Sequence, residues 1–260
     1  MKNLLAALIL YLPLIGSRAE INLIPFQFGS GNKTDIPTVF WIKPNPTATL
    51  IFLPGGSGNF GLTKRPDPQP TWILSDLYRL SDPPMNLVFM DNYYALQADS
   101  GDPYSRWAAR RDVRHIERIK LTVDHYRKLF GKPVFLIGHS NGSLSIAEFL
   151  NHSPENQKLV NGLILSGSRN ETEFRQKLSV PVLVLHHRAD PNRWTTPTSA
   201  AKLYESVRQS NSSVTEQAWV EGGKDVLGGD PTHTGRHMYF EATAEAAQLV
   251  QRFIKKTLDK

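Results

Sequence analysis

Residues 134–143, Val-Phe-Leu-Ile-Gly-His-Ser-Asn-Gly-Ser, constrain what this chain can fold into more than any other stretch. Val134, Phe135, Leu136 and Ile137 read as a buried strand, and Leu144, Ile146, Ala147 and Leu150 are spaced as the apolar face of a helix. Between the two, Gly138 and Gly142 stand two residues either side of Ser140. A serine on so sharp a strand-to-helix turn sits in a strained backbone conformation, and its neighbours two residues away are pressed together. Only residues with little or no side chain fit there. The helix that follows aims its N-terminal N–H groups and positive dipole end at the turn. The pattern predicts a nucleophile elbow with Ser140 as the nucleophile.

A serine hydroxyl needs a histidine to take its proton and a carboxylate to orient that histidine. In a parallel sheet such groups gather at the carboxyl ends of the strands, and on this architecture they follow in the order Ser, acid, His. Asp190 stands just after the apolar run 182–185, whereas the previous strand ends in Ser166-Gly167-Ser168 with no acid. Two histidines, His233 and His237, precede the closing helix. His237 is the expected base because it is nearer that helix and just before Phe240; His233 is the alternative. The oxyanion donors are expected from the N–H of Asn141 and from Ser57, with Gly56 next, in the loop Pro54-Gly55-Gly56-Ser57.

Other patterns carry less. Gly56, Gly58 and Gly61 spell a G-x-G-x-x-G, but the helix a dinucleotide site requires is replaced by Arg65-Pro66-Asp67-Pro68-Gln69-Pro70. His186 and His187 near Asp190 have the composition of a metal site, yet adjacent residues of a strand face opposite ways and cannot easily share an ion. No metal and no cofactor is expected, and His139 reads as structural.

Strands are expected at 39–42, 49–53, 86–90, 134–137, 161–165, 181–185 and 214–220. Helices are expected at 72–80, 105–130, 198–207 and 240–258. Strands and helices alternate, and several strands are apolar throughout, which predicts an α/β fold with a mostly parallel sheet covered on both faces. The segment 167–179 has room for one short helix at most, so little or no lid is expected. Lys2, the apolar run 4–15 and Ser17-Arg18-Ala19 predict a signal peptide over 1–19, cleaved after Ala19, leaving a single domain over 20–260 in a secreted or periplasmic protein. No later stretch is apolar enough to span a membrane. The net charge of +6 comes without a dense basic cluster interleaved with aromatics, so no nucleic-acid partner is expected. The absence of cysteine removes disulfides and thiolate chemistry. Nothing in the sequence fixes an oligomeric state.

On the glycine loop at Gly55-Gly56, the elbow Gly138-His139-Ser140-Asn141-Gly142, Asp190 and His237, the chain resembles the α/β-hydrolase superfamily over nearly its whole mature length. More narrowly, it is similar to small, lidless bacterial hydrolases. These carry segments like Leu185-His186-His187-Arg188-Ala189-Asp190 and Thr195-Thr196-Pro197, and a histidine followed by an aromatic before the last helix, here His237-Met238-Tyr239-Phe240. The resemblance implies the fold and a serine nucleophile. It does not imply a substrate, because esterases, lipases, thioesterases, amidases and peptidases share it. The expectation is a serine carboxylic-ester hydrolase acting on a small ester or acyl substrate. The alternatives are a peptidase, amidase or thioesterase with the same triad, or a binding protein that has lost turnover.

Overall fold

A computed structural model describes residues 19–61, 64, 68–70, 72–80, 82–91, 108–225 and 235–260. The signal-peptide reading falls on residues of which all but Ala19 lie outside the described residues, and so does His233. Eight strands form one sheet: β1 (Ala19–Phe26), β2 (Thr34–Trp41), β3 (Ala48–Leu53), β4 (Met85–Met90), β5 (Val134–His139), β6 (Gly162–Ser166), β7 (Val182–His187) and β8 (Thr215–Val220). Their order is β1-β2-β4-β3-β5-β6-β7-β8. β1 pairs antiparallel with β2 and β2 with β4; every other pairing is parallel.

The helices are α1 (Ile73–Arg79), α2 (Val113–Phe130), α3 (Asn141–His152), α4 (Pro197–Ser210) and α5 (Thr243–Leu258). They cover both faces. Alternate strand residues point to opposite sides, so Ile51, Leu53 and Leu136 pack with Ile119 and Val123 of α2, Ile146 and Phe149 of α3 and Leu203 of α4. Leu50, Phe52, Phe135 and Ile137 pack on the other side with Leu74 of α1 and Val250 and Phe253 of α5. The strands at the centre are buried on both faces, which is why they read as unbroken apolar runs.

Several boundaries differ from expectation. β1 and the first half of β2 were not expected, because Pro25 and Pro37 interrupt both runs; the sheet tolerates them in a hairpin at its edge. Of the helix expected over 105–130, residues 105–107 lie outside the described residues; Ala108 is helical, a 3-10 turn follows at Ala109–Arg111, and α2 starts at Val113, where the Asp112 side chain caps it by accepting the Arg114 N–H. It ends, as expected, at Gly131 in the left-handed conformation. Finally, the closing helix starts at Thr243 rather than 240. Between β6 and β7, residues 167–181 form neither helix nor strand, so no helical lid stands there.

Candidate active site

Ser140 occupies the turn between β5 and α3 with φ 52° and ψ −119°, a conformation that a residue with a side chain adopts only under strain. The glycines explain how the turn closes. A Cβ on Gly138 would stand 2.3 Å from the Gly142 carbonyl oxygen, and one on Gly142 would stand 2.0 Å from the Leu53 carbonyl oxygen. The Ser140 N–H donates to the Ser166 carbonyl at 2.9 Å, tying the turn to the end of β6. Gly55 passes directly over the serine: a Cβ there would lie 3.0 Å from Ser140 Cβ and 2.9 Å from the His139 carbonyl oxygen.

Asp190 and His237 are joined. The His237 Nδ1 lies 2.8 Å from Asp190 Oδ2, with both side chains buried. The carboxylate takes three further groups. Asn192 N–H donates to Oδ1 at 2.8 Å, Thr195 Oγ1 donates to Oδ2 at 2.9 Å, and His186 Nε2 lies 3.3 Å from Oδ2 while bonding the Thr195 carbonyl at 2.8 Å. Burial by itself would raise the Asp190 pKa. The hydrogen bonds from His186 and His237, the charge of His237 and the Asn192 N–H outweigh it and hold the carboxyl well below the ordinary carboxylate range. An ionised Asp190 accepts the Nδ1 proton of His237, which leaves the Nε2 lone pair as the basic one.

Between Ser140 and His237 no hydrogen bond is formed among the described residues. The two are related through His139, whose ring lies 4.8 Å from that of His237 and 4.5 Å from that of Trp72. A chain of donors runs from His139 Nδ1 to Ser166 Oγ at 3.1 Å, on to Tyr239 Oη at 2.8 Å and then to the Leu185 carbonyl at 3.3 Å. Because the last acceptor is a carbonyl, the proton sits on His139 Nδ1. Burial, then the neighbouring His237, push the His139 pKa well below 6.5, so the ring is neutral. Tyr239, fully buried at φ 53°, anchors the His237 loop; Phe240, the anchor suggested by sequence, is exposed. The Trp72 indole N–H, just ahead of α1, donates to the Met238 carbonyl and holds the same loop.

At the expected oxyanion site, Gly56 has φ 54° and its carbonyl accepts from the Asn141 side-chain Nδ2 at 3.0 Å and from Arg110 Nη2 at 2.9 Å. Ser57 follows on the same peptide. His186 and His187 engage different partners, His187 Nε2 bonding the Gly222 carbonyl at 2.8 Å. No group of three or more His, Cys, Asp or Glu that could hold a metal ion occurs among the described residues. No helix of the described residues is long and apolar enough to cross a membrane.

The residues that sequence reasoning missed are Arg110, Thr195 as an Asp190 ligand, His186, Trp72 and Tyr239. Thr195, His186 and Tyr239 carried a weak signal in their places within five residues of Asp190 or His237; Arg110 and Trp72 come from distant parts of the chain.

With eight strands in this order and a strained serine after β5, the architecture can be compared with solved structures. A lidless α/β serine hydrolase from Xanthomonas campestris superposes with TM-score 0.59 at 12% identity, covering 94% of this chain and 97% of that one. The fold is that of the α/β-hydrolases. An esterase from Pyrococcus furiosus superposes with TM-score 0.58 at 12% identity, covering 92% of this chain and 93% of that one. Oligopeptidase B from Leishmania major gives TM-score 0.58 at 13% identity over 93% of this chain but 37% of its own. The family model of lecithin:cholesterol acyltransferase matches residues 102–168, the stretch that carries the elbow. No curated protein matches. At these identities the likeness to solved α/β-hydrolases speaks for the fold; chemistry has to be argued from the site.

Proposed function

We propose that this chain is a serine hydrolase that cleaves carboxylic esters through an acyl-enzyme on Ser140. The observation that carries the reading is the buried His237–Asp190 pair at 2.8 Å, at the same end of the sheet as a serine held at φ 52°. In the proposed reaction Ser140 Oγ attacks the ester carbonyl carbon and its proton passes to His237 Nε2. The tetrahedral oxyanion is held by the Asn141 N–H and an N–H of the Gly56–Ser57 loop. Collapse of the intermediate breaks the C–O bond, and the leaving alcohol takes the proton from His237. Water then repeats the sequence and releases the acid. Asp190 orients His237 and stabilises its cation. Serine–histidine contacts of this kind are often long in the free enzyme and tighten when substrate arrives.

The esterase and lidless serine hydrolase among the structural neighbours support the ester reading, as does the absence of a helix over 167–181. Oligopeptidase B keeps an amidase or peptidase reading in play. We also propose that the mature chain is exported, on the strength of residues 1–19; N-terminal sequencing of the protein from its host checks this. The test of the main reading is labelling with a fluorophosphonate, which reacts only with an activated serine. Wild-type protein should be labelled on Ser140, and Ser140→Ala should lose both labelling and ester hydrolysis. Labelling that persists in the variant would refute it. Matched acyl esters and peptide amides then separate esterase from peptidase.

A further inference from the structure

Arg110 is fully buried, and no carboxylate among the described residues pairs with it. Burying a guanidinium is costly unless its N–H groups are hydrogen-bonded, so the partners it reaches carry meaning. Its guanidinium bridges two elements. Nη1 donates to Ser145 Oγ at 2.9 Å, one turn along α3 from Asn141, and Nη2 donates to the Gly56 carbonyl at 2.9 Å. The Asn141 Nδ2 reaches the same carbonyl at 3.0 Å. Ser145 in turn is 2.9 Å from His115 Nε2, and burial, first, and the charges of Arg110 and Arg118 keep His115 neutral. Burial also lowers the Arg110 pKa, to about 9, which leaves it a cation at neutral pH.

We propose that Arg110 is a positioning residue for the oxyanion loop: by holding the Gly56 carbonyl against α3, it fixes the Gly56–Ser57 peptide over Ser140. In a trans peptide the N–H points opposite to the C=O. Two charged or amide donors on the Gly56 carbonyl therefore fix the direction of the Ser57 N–H. They also fix the path of a glycine loop that by itself has little conformational preference. Gly55 lies against Ser140 Cβ, so any drift of this loop is a drift of the donors relative to the reacting carbonyl. A donor aimed in advance at the developing negative charge is worth much more than one that must reorganise. This inference rests on the proposed serine-hydrolase reading.

Kinetics on a p-nitrophenyl ester, with binding of a trifluoromethyl ketone and its methyl ketone counterpart, test it. The fluorinated ketone adds to the serine and carries the oxyanion; the methyl ketone serves as the ground-state control. Arg110→Met should lower kcat about tenfold to a hundredfold with KM changed less than about threefold, since a loop donor is misplaced rather than deleted. Affinity for the trifluoromethyl ketone should fall in the same proportion while the methyl ketone binds as before. Free guanidinium should restore part of the rate to Arg110→Ala. Should Arg110→Met fail to fold, Ser145→Ala removes the other anchor of the guanidinium, keeps a good helix residue, and should show the same pattern at about threefold to tenfold. Wild-type discrimination between the two ketones in these variants, or an equal loss for both, overturns the role of Arg110 while Ser140→Ala remains inactive. Turnover surviving in Ser140→Ala would overturn the reading of Ser140 and this inference with it.

Discussion

At the scale of single residues, the site turns on how many donors Asp190 accepts. Its Oδ2 receives His237 Nδ1 and Thr195 Oγ1 within 2.9 Å, and its Oδ1 receives the Asn192 N–H. Replacing the carboxylate by an amide presents an N–H to the imidazole, so Asp190→Asn should reduce kcat on the order of a thousandfold or more. Thr195→Val removes one donor and leaves the pair, so a loss of only several-fold is expected, with KM unchanged. His237→Ala should inactivate and His233→Ala should retain most activity; the reverse pattern in initial rates on one activated ester would move the base to His233. Ser140 and Asp190 were expected from their places just after apolar runs, and His237 from its place before the closing helix. Arg110 and His186 were not. Arg110 meets Gly56 across 54 positions of sequence, and no local pattern encodes that approach. His186 looked like half of a metal site because two adjacent histidines advertise composition rather than direction.

At the scale of elements, the crossing of β3, β5 and α3 is fixed by missing side chains. A methyl on Gly142 would meet the Leu53 carbonyl oxygen at 2.0 Å, which is backbone at the carboxyl end of β3 and cannot swing aside. Gly142→Ala should therefore force β3 and α3 apart and cost about 3 kcal/mol or more, read as a lowered urea midpoint, with hydrolysis lost. A variant with wild-type stability would mean that the elbow is looser than drawn. The central strands and the long helices were readable because burial on both faces, or on one stripe, leaves a period in the sequence. The edge hairpin of β1 and β2 was not. Its prolines remove donors, and β1 is only partly buried, so neither periodicity nor composition marks it. The His237 loop was expected before the last helix, but its anchors, Tyr239 bonding Ser166 and the Leu185 carbonyl at the sheet end and the Trp72 indole just ahead of α1, are contacts that exist only after folding.

For the whole molecule, the buried imidazoles make stability depend on pH. His139 lies among His237, Asp190 and His186, and His115 among Arg110, Arg118 and Asp112. Burial is the largest cause in both, and each is held well below 6.5, so the folded chain keeps them neutral. The unfolded chain protonates the same rings as pH falls through about 6.5. Below that point the unfolded state binds more protons than the folded one, and acid pulls the equilibrium toward unfolding. Each ring contributes a slope of up to about 1.4 kcal/mol per pH unit until its folded pKa is reached. Asp190 acts with the same sign at lower pH: its folded pKa is depressed, so its contribution is present above about 3.9 and is lost as pH falls toward the folded value. Urea unfolding should therefore give a nearly constant free energy from pH 8 to 7 and a falling one from 6.5 to 5. His115→Gln and His139→Gln should each be less stable at pH 7.5 yet show a shallower decline below 6.5, because one of the two titrating rings is gone. A wild-type free energy that stays flat between pH 7.5 and 5 would mean that both rings take up protons in the folded protein, and a neutral His139 beside His237 would have to be abandoned.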